Sequence, residues 1–210
     1  MREGQEYICT PFRTVKSKGP FLDLAAIRNS QTISMLPLHQ AIKQDNEDEV
    51  NRLISLSTTD LHEEDSNGIT PLIEACISGN ESIVNALLNA GCHAQPSAGF
   101  RHSPLRGATV CGHSHLIPIL LQAGADPNAL SEGKRTPLMG ACFLRQGLYD
   151  EDEEKKRSEQ CVKALLSDLR VDPTIQNSFG ESALDLAKIR RYEKSIELLE
   201  IALQKWNTDR

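Results

Sequence analysis

Aromatic residues are scarce in this chain: five Phe, three Tyr and one Trp make up 4% of 210 residues, although 39% are hydrophobic. A rounded core normally fills its centre with rings, so the expected core is thin and built from Leu, Ile, Val and Ala. Positive charge is also short. With 23 Lys and Arg against 29 Asp and Glu, the net charge is -6, which argues against nonspecific nucleic-acid binding through a basic surface. No apolar run approaches the roughly 18 residues that span a bilayer, so no membrane insertion is expected. Residues 1–20 lack the apolar stretch of a secretory signal, Arg2 stands where N-myristoylation requires Gly, and Asn207 to Arg210 contain no prenylation box. The expected location is the cytoplasm, the nucleus or both, with the six Cys kept reduced. Signatures of catalysis are missing too: no phosphate-cradling glycine loop, nucleophile elbow or H-E-x-x-H occurs. No enzyme activity and no cofactor are expected.

What the chain does contain is a period. Leu36-Pro37-Leu38-His39-Gln40-Ala41, Thr70-Pro71-Leu72-Ile73-Glu74-Ala75, Ser103-Pro104-Leu105-Arg106-Gly107-Ala108 and Thr136-Pro137-Leu138-Met139-Gly140-Ala141 share one pattern, and Ser182-Ala183-Leu184-Asp185-Leu186-Ala187 keeps it without the proline. The markers Pro37, Pro71, Pro104, Pro137 and Ala183 are spaced by 34, 33, 33 and 46 residues, the last exceeding the period by 13. An apolar pair follows each of the first three markers by about half a period, at Leu53-Ile54, Leu87-Leu88 and Leu120-Leu121, and is displaced to Leu165-Leu166 in the fourth. Thr or Ser before Pro caps a helix whose first position needs no amide. Gly79 supplies the left-handed residue that ends such a helix, and a second helix then buries the apolar pair. Asp65-Ser66-Asn67-Gly68 and Ala123 to Asn128 have turn chemistry.

These segments resemble the ankyrin repeat, closely in the second to fourth units and more loosely in the first and last. The resemblance implies an all-α, ankyrin-repeat solenoid of stacked helix-turn-helix units with β-turn fingers, used for protein recognition and without catalysis of its own. The repeats are placed at 33–66, 67–99, 100–132, 133–178 and 179–210. Ala183 in place of Pro and Glu200 in place of a second Leu mark the last as a C-terminal cap with a wet outer face. The 13 extra residues fall near 148–160 and include Asp150-Glu151-Asp152-Glu153-Glu154-Lys155-Lys156-Arg157. They either extend the second helix through i,i+4 pairs or form a mobile loop; a solvated, tolerated insertion is the plainer reading, an accessory contact for a partner the sharper one. Residues 1–32 carry no repeat signature and are read as an arm that caps the first repeat, with a peptide motif for another protein as the alternative.

Cys92, His93, His102, Cys111, His113 and His115 crowd into 24 residues, but their spacing is not that of paired C-x-x-C ligands, and no metal is expected. Cys76 and Cys142 share a helical offset two repeats apart, beyond disulfide reach. A further family resemblance concerns Leu120, Asp126 and Asn128, the offsets favoured by an asparaginyl hydroxylase that acts on ankyrin repeats. It marks Asn128 as a candidate for hydroxylation, although Pro127 stands where a β-branched residue is usual; a turn Asn is the alternative.

The family's variable positions lie on the fingertips and the inner face of the first helices. Carried onto this sequence they include the apolar residues Ile69, Ile77, Phe100, Val110, Phe143, Leu144, Phe179 and Ile189, with His102 among them and Arg101, Arg135 and Arg190 placed to hold acidic groups. An apolar stripe on an exposed concave surface marks a binding site. The expected protein is a scaffold or adaptor, monomeric by itself, that holds an extended or helical segment of another protein. The alternative is a regulatory inhibitor that masks a kinase or transcription factor through the same face. Phe143→Ala with Arg135→Glu is expected to abolish capture while leaving unfolding nearly unchanged.

Overall fold

A computed structural model describes residues 37–95 and 102–208; the arm at 1–32 therefore lies outside the described residues. Ten helices follow one another: α1 Pro37–Lys43, α2 Glu47–Ile54, α3 Pro71–Ser78, α4 Glu81–Asn89, α5 Pro104–Val110, α6 Leu116–Gln122, α7 Pro137–Ala141, α8 Glu151–Leu166, α9 Ala183–Arg190 and α10 Glu193–Thr208. They form five antiparallel pairs. The first helices stack in the order α1, α3, α5, α7, α9, and α8 packs along α10 behind them.

Local chemistry explains the helix starts. The side chains of Thr70, Ser103 and Thr136 accept hydrogen bonds from the amides of Ile73, Arg106 and Met139, with Pro in the first turn of each helix. Helix α9 lacks the proline and has a capping box instead: the Asp185 amide donates to Ser182, and the Ser182 amide donates to the Asp185 carboxylate. The turn after a first helix needs a left-handed residue. Gly79 supplies it at φ 83°, and a side chain there would run into the His113 ring, 2.6 Å from Nδ1. Asp45 and Arg191 take the same conformation at φ 55° and 56° in the first and last pairs.

The core follows the aromatic shortage. It is a band of Leu, Ile, Val, Ala and Cys running from Leu38 to Leu199, and the Tyr192 phenol is the only aromatic ring other than imidazole among the buried described side chains. Histidines tie neighbouring repeats together, because a carbonyl can only accept: His39 Nε2–H donates to Ile69 at 2.8 Å, and His113 Nε2–H donates to Ile77 at 3.0 Å.

The fingers are turns rather than strands. Asp65 accepts from the amides of Asn67 and Ile69, Asn177 accepts from those of Phe179 and Glu181, and Ser131 makes an antiparallel bridge with Arg135. One finger touches the next where the Ser178 amide donates to the Gly133 carbonyl at 2.9 Å.

The inserted residues extend α8 at its N-terminus. Asp150 caps it, four acids in its first turn complement the helix dipole, and Lys155 and Arg157 pair with Glu151 and Glu153, each at 2.8 Å. The solvated reading holds for the outer face of this segment and fails on its inner face. Glu154 and Ser158 are buried; Ser158 Oγ and Ser195 Oγ of α10 lie 2.8 Å apart. Arg157 sits over the Tyr149 ring, whose hydroxyl donates to the Cys111 carbonyl at 3.0 Å. At the far end Glu200 is exposed and Leu199 buried. No helix of the described residues is long and apolar enough to cross a membrane.

Candidate functional site

The fingers and the first helices place the expected contact residues very differently. Ile69, Ile77, His102, Val110 and Arg135 are half-buried; Phe100 and Arg101 lie outside the described residues. Phe179, at the tip of the finger before α9, is 64% exposed, and Ile189, at the end of α9, is 52% exposed. Phe143 is half-buried against the core.

Two expectations are corrected. Leu144 is 1% exposed and offers no surface to a partner. Its counterpart Ser78 still lies in helix α3, whereas α7 stops at Ala141. Beyond that end the chain folds back on α5, where the Arg145 amide donates to the Val110 carbonyl at 2.9 Å, and the side chain at the Leu144 position turns inward.

Arg190 is the second correction. Its guanidinium pairs with Glu154 at 2.7 Å, and the two side chains are only 14% and 11% exposed. The Tyr192 hydroxyl donates to the same carboxylate oxygen at 3.2 Å and accepts from Arg190 Nε at 3.3 Å. The guanidinium also lies 5.1 Å from the centre of the Phe143 ring. Burial works to lower the Arg190 pKa, but Tyr192 and Glu154 outweigh it and raise it. Its charge is thus spent inside the protein and is not available to fix an acidic group from outside. Sequence reasoning missed Glu154 and Tyr192. For Glu154 a signal existed: the buried positions Cys161, Val162 and Leu165, continued backwards at helical spacing, reach Ser158 and Glu154.

The residues that invited catalytic or metal chemistry serve the stack. Burial pushes the Cys92 and Cys111 thiols up to about 11 and the Cys161 thiol to about 12, so none is a thiolate at neutral pH. Burial is also the main cause that lowers the His113 pKa, while its bond to Ile77 works to raise it. His115 Nε2–H donates to Gly79, and Cys92 Sγ to Leu61. No cluster of three or more His, Cys, Asp or Glu among the described residues is arranged to hold a metal ion. Asn128 uses both ends of its amide, donating to the Arg170 carbonyl at 2.7 Å and accepting from the Asp172 amide at 2.8 Å. It thereby joins the turns that follow α6 and α8.

The stacked helix pairs, proline-capped first helices and turn fingers agree with a family comparison, in which the model described as ankyrin repeats (3 copies) matches residues 22–98 and 38–131. The chain belongs to the ankyrin-repeat family. The matched region ends at 131, but the ankyrin architecture continues through α7–α8 and α9–α10 to Thr208. Comparison with curated proteins gives no match. Ankyrin repeats generally mediate protein–protein interactions and are typically non-catalytic.

Proposed function

We propose that this ankyrin-repeat protein is a non-catalytic scaffold or adaptor whose fourth and fifth repeats hold a segment of a partner protein. The observation that carries the reading is the exposure of two large apolar side chains, Phe179 on the finger that precedes α9 and Ile189 in the last turn of α9. Phe143 adds a half-buried ring, 5.1 Å from the guanidinium of Arg190, the residue after Ile189. Water-exposed apolar groups of this size stabilise a complex when a partner covers them. The proposed location is the cytoplasm, the nucleus or both, where cysteines stay reduced.

The test is affinity capture with the full chain and with Phe179→Ser/Ile189→Ser. Both side chains are exposed, so unfolding free energy should change by no more than about 0.5 kcal/mol per site. Partners held by the wild-type chain and lost by the double variant support the placement. Undiminished capture of every partner refutes it. Phe143→Ala is the poorer probe, because Phe143 packs against the core and under Arg190.

A further inference from the structure

The segments that carry the apolar anchors have a charge balance opposite in sign to that of the whole chain. Residues 131–147 and 177–191, which contain the last two fingers, α7 and α9, hold six Lys and Arg against three Asp and Glu, in a chain whose net charge is -6; Glu154 and Glu200 from the neighbouring helices pair with Arg190 and Lys188, which narrows the excess to one positive charge. Position sharpens the contrast. The Ser178–Gly133 hydrogen bond brings Phe179 beside the exposed Lys134 of the neighbouring finger. At the other end of α9, about 9 Å from its first residue by helical rise, Ile189 is followed by Arg190, whose guanidinium reaches the Phe143 ring. Arg145 follows Phe143 by two residues, and the exposed Arg191 ends α9. The acids of this surface are engaged internally. Glu181 accepts from the Asn177 side chain at 2.9 Å, Asp185 closes the capping box on Ser182, and Glu154, from α8, neutralises Arg190. Glu132 is left as the exposed acid of the finger.

We infer that the occupant of this face is an acidic segment that carries large apolar side chains, a conclusion that rests on the docking role proposed above. The apolar groups would cover Phe179 and Ile189, and the carboxylates would lie near Lys134 and Arg145. Like-charged basic segments would meet repulsion at both ends, so the face selects by sign as well as by shape.

A random dodecapeptide display library selected on the full chain tests this, with recovered peptides then measured against three proteins: the wild type, Phe179→Ser/Ile189→Ser and Lys134→Gln/Arg145→Gln. Neutral replacements at the apolar sites keep added charge out of the first comparison. Peptides that weaken about tenfold or more on the Phe179→Ser/Ile189→Ser variant are bound by this face. These should be net negative and carry Leu, Ile, Val or an aromatic residue. They should also weaken about three- to tenfold on Lys134→Gln/Arg145→Gln, and several-fold between about 50 and 300 mM salt. Face-dependent peptides that are neutral or basic overturn the acidic assignment and leave the docking reading standing. Failure to recover any peptide that distinguishes wild type from Phe179→Ser/Ile189→Ser overturns both. Thermal melts check folding; should Arg145→Gln unfold the chain, Lys134→Gln alone replaces the charge variant.

Discussion

Removing the Glu154 carboxylate should loosen the C-terminal repeat selectively. In Glu154→Ala the Arg190 guanidinium loses its 2.7 Å partner while remaining about as buried, at 14% exposure. The Tyr192 hydroxyl loses its acceptor in the same step. Stranding one member of a buried pair costs about 3–5 kcal/mol, and for a chain of this length each kcal/mol corresponds to about 2–4 °C in melting temperature. Repeat stacks unfold as nearest-neighbour units, so the loss should appear first as faster amide exchange in α9 and α10, with α3 and α4 nearly unchanged. Arg190→Met removes the charge and keeps an aliphatic side chain against Phe143. In the double-mutant cycle, Arg190→Met should recover much of what Glu154→Ala loses, with a coupling of about 2 kcal/mol. A loss below about 1 kcal/mol for Glu154→Ala, or a coupling within about 0.3 kcal/mol of zero, would show that the insertion is a solvated appendage after all.

Three further outcomes are expected. The lowered His113 pKa means that the unfolded chain takes up this proton first, so its contribution is complete above the ordinary value of 6.5 and falls as pH drops through the lower folded value. Urea titrations should show that loss below about pH 6.5 in the wild type and a flatter profile in His113→Gln; equal slopes would exclude His113 as the source. Gly79→Ala places a side chain at positive φ and into the His113 ring, and should cost about 1–3 kcal/mol by chemical denaturation. Asn128→Ala removes both hydrogen bonds between the turns after α6 and α8, an expected loss of about 1–3 kcal/mol, read in the same assay and accompanied by faster exchange of the Asp172 amide.

The parts of this fold that the sequence made legible are those fixed by neighbours in the chain. Thr70, Ser103 and Thr136 cap their helices within three residues, Gly79 ends one, and the period places the five pairs in order. Reading by fixed offset fails where a helix changes length. Because α7 is five residues long and its counterpart α3 eight, the offset that leaves Ser78 exposed buries Leu144. It fails again where a side chain bonds across 36 residues, as Arg190 does to Glu154, since no periodic rule records what an insertion will bring alongside. That second failure changes the electrostatics of the candidate face. With Arg190 neutralised from within, its role beside Phe143 is to position the ring, and attraction for an acidic partner falls to Arg145 and Arg191 at that end and to Lys134 at the other. Arg190→Met should therefore alter the Phe143 side of the surface and weaken the repeat, yet change the salt dependence of binding less than Lys134→Gln does.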